Sequence, residues 1–275
     1  MPVHATTPDQ TVSCLRLDGV SATYVDGGQT LDALAGITFD IAEGEFVALI
    51  GPSGSGKSTL LDIISGLFAE TGGAVRIKGQ SLPVEARLDH SSYMWQRDLL
   101  LPWRTALDNA TIALEIHGMS RSGARERALA RFPEFGLSGF EKSWPAQLSG
   151  GMRQRVAFLR TMLAERPLLL LDEPFGALDA LNRVTLQSWL LNLWDREPRS
   201  VLLVTHDIDE AVFLADRVIV LSSRPGRIVH IEPIDLPRPR RRIDLASETF
   251  FRHRANLAAA LGLLGVKTSS AGDNE

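Results

Sequence analysis

Residues Phe46–Thr59 read FVALIGPSGSGKST. FVALI is a short, continuously apolar run, the pattern of a parallel strand buried on both faces. Glycines then break the run, and Leu60, Ile63 and Ile64 follow at helical spacing. Gly51 and Gly56 with four residues between them, followed by Lys57 and Ser58, match a phosphate-binding loop, the P-loop. Across Gly51, Pro52, Ser53, Gly54, Ser55 and Gly56 the backbone N–H groups can turn inward, and the helix start adds partial positive charge. Lys57 is of the right type to reach the β- and γ-phosphates of a nucleotide, Ser58 offers a hydroxyl to Mg²⁺, and Thr59 closes the motif. A chance glycine-rich turn would lack the strand before it and the helix after it.

A nucleotide hydrolase also needs an acid at the end of a buried strand. In LLLLDEP, Asp172 follows four leucines and emerges at the carboxyl end, where α/β sheets bind ligands. It suits a Mg²⁺-linked water, and Glu173 is positioned to polarise an attacking water. The alternative is a strand end capped by acids to deter further pairing. His206, in LLVTHD, again sets a polar group at the end of an apolar run. Lone histidines are more often structural, but a position beside the γ-phosphate suits a transition-state contact. Gln96, in YMWQ, is a candidate for the Mg²⁺ shell.

Organisation along the chain is α/β. SVLLVTH and RVIVLS join FVALI and LLLLD as buried parallel strands. ITFDI (37–41) and AVRIKG (74–79) alternate and predict half-exposed antiparallel strands. Thr105–His117 opens with a Thr-x-x-Asp cap and carries Leu107, Ala110 and Leu114 on one side; it lies in a helical insert. A second glycine turn, LSGGMRQR (148–155), runs into a helix with Met152, Val156, Leu159 and Leu163 on one face, so Ser149, Gly150 and Gly151 form a second candidate anion site. Arg238–Arg242 reads as a solvated basic segment, contact with lipid headgroups being the alternative, and Phe250, Arg254, Leu257 and Leu261 predict a short amphipathic helix. The net charge of −4 argues against a generic nucleic-acid binder. The single cysteine, Cys14, excludes an internal disulfide and fits a reducing compartment. No signal peptide is visible in residues 1–13, and no apolar run approaches the about 20 residues that span a bilayer.

Taken together, GPSGSGKST, Gln96, LSGGMRQR, LLLLDEP, ALD at 177–179 and His206 resemble, in order and spacing, the nucleotide-binding subunit of ABC transporters. The likeness runs from about Leu15 to His230. It implies a P-loop NTPase (RecA-like) α/β core with an antiparallel β subdomain and an α-helical subdomain over about 97–157, inside an ATPase domain at 14–235. A flexible tail would cover 1–13, and a C-terminal extension 236–275. Tyr24 matches an aromatic that stacks on adenine, a strand tyrosine in ordinary packing being the alternative. Gln96 matches the Q-loop, which senses Mg²⁺ and adjoins the groove for a membrane subunit, and Asp179 the D-loop, which couples two sites. The resemblance also implies ATP and Mg²⁺, and a second copy of the chain whose signature turn at Ser149–Gly151 meets the γ-phosphate held by this one. It further implies transmembrane permease subunits, indirectly a solute-binding protein, and a peripheral place on the cytoplasmic face of the inner membrane. QRDLLLPWRTALDNA and SSRPGRI look like importers of nitrate, sulfonates, taurine or thiamine pyrimidine precursors. A soluble ABC ATPase acting as a switch or assembly factor stays open beside the transport reading.

Overall fold

The computed structural model describes residues 13–263. The tail expected over 1–13 and the end of the C-terminal extension lie, but for Ser13 and residues up to 263, outside the described residues. In chain order the strands are β1 (Ser13–Asp26), β2 (Gln29–Ala42), β3 (Phe46–Ile50), β4 (Gly72–Ile77), β5 (Gln80–Ser81), β6 (Ser91–Met94), β7 (Leu168–Asp172), β8 (Ser200–Val204), β9 (Arg217–Leu221) and β10 (Ile228–Pro233). The helices are α1 (Lys57–Ser65), α2 (Val84–Arg87), α3 (Ala106–Ala110), α4 (Ile112–Ile116), α5 (Arg121–Arg131), α6 (Gly150–Leu163), α7 (Ala180–Arg196), α8 (Ile208–Leu214) and α9 (Glu248–Ala260).

The apolar runs form one sheet of order β10-β9-β3-β8-β7-β6, parallel except for β10 at one edge. Period-two side-chain alternation explains why these strands are apolar throughout. Phe46, Ala48 and Ile50 of β3 join one core with Leu169, Leu171, Val201 and Leu203. Val47 and Leu49 join the other, where the apolar face of α1 packs with Leu168, Leu170, Leu202 and Val204. That second core is closed by an antiparallel sheet of order β2-β1-β4-β5. The layered α/β architecture expected from the sequence is therefore the one formed.

Details differ from the periodic reading. ITFDI is the end of a longer strand, β2, whose partner β1 was not legible as a strand. Leu15 and Leu17 alternate, but the register shifts between Leu17 and Val20, so the buried positions slip out of phase at Gly19. Thr105–His117 is two short helices meeting at Thr111, whose hydroxyl donates to Asp108 O (3.1 Å). Its expected cap is present, with Asp108 N donating to Thr105 Oγ1 at 3.2 Å. The insert packs through α3 on α6, which starts at the second glycine turn.

Arg238–Arg242 is not a solvated segment. Arg240 is buried and donates from Nη1 to the carbonyl oxygens of Val212 (3.1 Å), Phe213 (3.2 Å) and Ala215 (2.7 Å), the unpaired end of α8. Burial, with Arg238 alongside, pushes its pKa down to about 10, so it stays a cation at neutral pH. Arg238 lies 4.0 Å from the ring centre of Trp194 and pairs with Asp216 at 2.8 Å. Arg242 donates to Gln187 Oε1 (2.8 Å), and Gln187 Nε2 donates to the buried Glu210 (2.8 Å). Hydrophobicity patterns cannot show this, because the carbonyls, carboxylate, amide and aromatic rings that hold the arginines come from other parts of the chain. Leu236, Phe250 and Leu257 complete the attachment by joining the larger core.

Arg240→Ala is expected to lower the unfolding free energy by about 3 kcal/mol, against less than about 0.5 kcal/mol for the exposed Arg241→Ala, as read from urea melts. Glu210 yields a pH dependence. Burial raises its pKa from 4.5 to about 7, so in that window the native state holds a proton that the unfolded chain has released. Its contribution to stability therefore falls as pH rises through the window. Glu210→Gln should flatten that part of the stability–pH curve.

Candidate nucleotide-binding site

Parallel register delivers the site. Asp172 pairs across from Val204, and Thr205 N donates to Leu49 O (3.2 Å), so β3, β7 and β8 end level with one another. The glycine loop starts at that rim. Gly56 has φ +91°, and a Cβ there would stand 2.6 Å from Leu34 Cδ2 and 2.9 Å from Ala33 O; only glycine suits both the conformation and the space. Lys57 is buried beneath the loop and donates from Nζ to Gly51 O (2.8 Å) and Pro52 O (2.9 Å). Burial pushes its pKa down, and the nearby carboxylates of Glu173 and Asp172 oppose that. Gly51 through Gly56 thus form a loop running into α1, whose first residues are Lys57, Ser58 and Thr59.

Tyr24, Leu31, Ser53, Lys57, Ser58 and Glu173 are among the residues that line the cleft above this loop. The Tyr24 hydroxyl shares a hydrogen bond with Thr59 Oγ1 (3.1 Å), and its ring lies 4.8 Å from that of Phe68. Asp172 is buried; burial raises its pKa, and a hydrogen bond from Ser58 opposes the rise. A buried carboxylate beside a hydroxyl is an oxygen pair that fits a hard divalent cation. Among the described residues no three His, Cys, Asp or Glu side chains form a metal cluster, so a cation held here would also need nucleotide and water oxygens.

Glu173 is the point of convergence. Gln96 Nε2 donates to its Oε2 at 3.1 Å, and His206 Nδ1 lies 3.1 Å from the same oxygen. Among the described residues Gln96 therefore hydrogen-bonds Glu173 and neither Ser58 nor Asp172. Glu173 has φ +43°, left-handed for a non-glycine residue, a conformation that costs about 1–2 kcal/mol. Its N–H donates to Val204 O (2.8 Å), which ties that conformation to the strand ends. Burial of neighbouring Phe175 against Phe158 helps keep it there.

The second glycine turn stands apart. Ser149 caps α6, its Oγ accepting from Met152 N (3.2 Å), and Gly150 is exposed. Among the described residues none of Ser149, Gly150 and Gly151 lines the P-loop cleft. Gly150 instead lines a separate groove with Gln96, Asp98, Arg153 and Leu178. Asp179 caps α7, accepting from Asn182 N (3.0 Å) and Asn182 Nδ2 (2.6 Å); these bonds hold its carboxyl below the usual range.

Three residues of the site were not singled out from sequence. Arg224 borders the cleft and donates from Nε to Gly54 O at 3.2 Å, across a long separation in the chain. Tyr93 donates to Asp172 Oδ2 at 3.5 Å. Gln154, a buried amide on α6, donates to Pro174 O and so ties the second glycine turn's helix to the segment after Glu173. Its spacing puts it off the face defined by Met152, Val156, Leu159 and Leu163, so the helical pattern carried no signal for its burial.

Comparison with known proteins places this geometry in a family. A family model described as ABC transporter matches residues 34–176. An uncharacterized ABC transporter ATP-binding protein of Methanocaldococcus jannaschii is 44% identical over 243 residues, 88% of this chain and 89% of that one. The aliphatic sulfonates import ATP-binding protein of Rhodococcus jostii is 48% identical over 227 residues, 82% of this chain and 86% of that one. Among solved structures, the dimeric post-hydrolysis state of an ATP-binding cassette bound to ADP and Pi superposes with a TM-score of 0.68 at 33% identity, covering 78% of this chain and 99% of that one. With the P-loop, the strand-end acids and the second glycine turn in this arrangement, the chain belongs to the ABC transporter family, as one of its ATP-hydrolysing cassettes.

Proposed function

We propose that this cassette energises import of a small solute through a separate membrane permease, two copies closing head to tail around two ATP molecules. The observation that carries the reading is the separation within one chain of the P-loop cleft from an exposed, capped glycine turn, which leaves the turn available to a nucleotide held by a second copy. Relatives named for aliphatic sulfonates import support an importer and point to that class of cargo. No helix among the described residues is long and apolar enough to cross a membrane, in keeping with a permease on other chains and a peripheral place on the cytoplasmic face of the membrane. A solute-binding protein would deliver the cargo on the far side.

In this reading the P-loop amides and Lys57 hold the β- and γ-phosphates, and Tyr24 stacks on the base. Ser58 and Asp172 would hold Mg²⁺, which when bound would supply positive charge against the phosphates. Glu173 takes the proton from the attacking water, and Gln96 and His206 orient its carboxylate, both reaching Oε2 and leaving Oε1 for the water. Ser149, Gly150 and Gly151 offer a helix N-terminus to the partner's γ-phosphate. Asp179, at the start of α7, couples the two sites. Loss of the γ-phosphate on hydrolysis removes the charge both chains share, and the dimer opens.

Glu173→Gln should retain ATP binding but slow hydrolysis by about a hundredfold to a thousandfold, and a long-lived ATP-dependent dimer should appear on a sizing column. Near-normal turnover would remove Glu173 from the mechanism.

Ser149→Arg tests the two-chain arrangement. Isolated chains should still bind ATP through an intact P-loop, yet neither dimerise nor hydrolyse. Mixed with Lys57→Ala, which should lose binding and hydrolysis together, they form a dimer with both lesions on one composite site, and part of the ATPase activity should return. Loss of ATP binding by Ser149→Arg alone would show that the turn serves its own chain's nucleotide.

A further inference from the structure

The loop SSRPGRI (222–228) between β9 and β10 is built into the nucleotide cleft. Ser222 folds it back on itself: its N–H donates to Arg227 O (2.9 Å), its hydroxyl donates to Pro225 O (3.2 Å), and its Oγ accepts from Arg227 N (3.0 Å). The closed turn inserts Gly226 between two layers. Gly226 N donates to Ala33 O (2.9 Å), and Gly226 O accepts from Ala35 N (3.0 Å). A Cβ on Gly226 would stand 2.1 Å from Ser55 O, an impossible approach, so this loop lies directly against the P-loop backbone. β2, the 222–228 loop and the P-loop are thereby held as one unit.

Arg224 stands at the outer bend of that unit. Its Nε donates to Gly54 O (3.2 Å), which fixes the guanidinium beside the P-loop, and its side chain lines the cleft with Tyr24, Leu31, Ser53 and Lys57. Its two Nη nitrogens have no hydrogen bond and no ion pair among the described residues. An arginine anchored through Nε with its planar pair of Nη donors uncommitted, at the edge of a phosphate cradle, has the geometry for a polyanion. Lys57 differs, because its ammonium is turned under the loop onto backbone carbonyls.

We propose that Arg224 contacts the bound nucleotide, its Nη nitrogens donating to phosphate-chain oxygens from the side of the cleft away from Asp172 and Glu173. This rests on the ATP-cassette reading. It makes Arg224 a determinant of nucleotide affinity without a part in the proton transfer. The anchor on Gly54 sets the guanidinium before ATP arrives, so little side-chain freedom is lost on binding.

Titration calorimetry with Mg·ATP on the full chain tests it, alongside melting curves without nucleotide and steady-state ATPase assays. Arg224→Gln should raise the Kd for ATP about tenfold, the cost of one charge-assisted hydrogen bond, and raise KM far more than it lowers kcat. Arg224→Lys should recover part of the affinity, and the nucleotide-free melting temperature should stay within about 1 °C of the unsubstituted protein, as for surface changes. An unchanged Kd in Arg224→Gln would overturn the proposal. So would weaker binding accompanied by a lower nucleotide-free melting temperature and no recovery in Arg224→Lys, which would make Arg224 only a brace for the P-loop. If the unsubstituted protein itself failed to bind ATP, the cassette reading would fall first.

Discussion

A short strand buried on both faces has one place for a hydrophilic side chain, its end. In β3, β7 and β8 every residue is buried, so the first polar chemistry appears where each strand stops: the P-loop after Ile50, Asp172 and Glu173 at the end of β7, Thr205 and His206 after β8. Parallel pairing with Asp172 opposite Val204, and Thr205 bonded to Leu49 O, then brings those ends to one rim. The architecture of the site is thus a consequence of core burial. Packing of α1 beneath the sheet adds the helix N-terminus that a phosphate requires.

Around that rim the chain carries local strain and resists it with contacts from several elements. Glu173 keeps a left-handed backbone while Gln96 and His206 grip one carboxylate oxygen. The same neighbourhood is wired to α6. Gln154 bonds Pro174 O, Arg153 pairs with Asp98 at 3.1 Å, and Arg160 donates to Asp98 O at 2.7 Å. The segment bearing Gln96 and the helix bearing Ser149 therefore cannot shift independently of the acid at the cleft. That mechanical linkage is what the proposed two-chain site would need for events at one cradle to be felt at the other.

The C-terminal segment shows polar groups serving the same end by other means. Arg240 satisfies three carbonyls at the end of α8, and Arg242 reaches Glu210 through Gln187. α8 begins two residues after His206, so residues far along the chain brace the element that follows a site histidine. The 222–228 loop does the equivalent for the P-loop through the backbone of Gly226, set against Ser55 O and bonded to Ala33 and Ala35.

The amino-acid sequence by itself determined the fold class and the position of the strand-end chemistry along the chain. Continuous apolar runs, glycine turns and helical spacing are local signals, and the family's motifs are local too. It did not reveal β1 as a strand, because the register shift after Leu17 breaks the period that marks one. Nor could it show that Gln96, Glu173 and His206 share one carboxylate oxygen, that Arg240 is buried, or that Arg224 lies on Gly54. Each of these depends on which distant segments are neighbours. A polar side chain looks solvated in sequence until tertiary packing supplies, from another part of the chain, the carbonyl or carboxylate that lets it be buried or aimed.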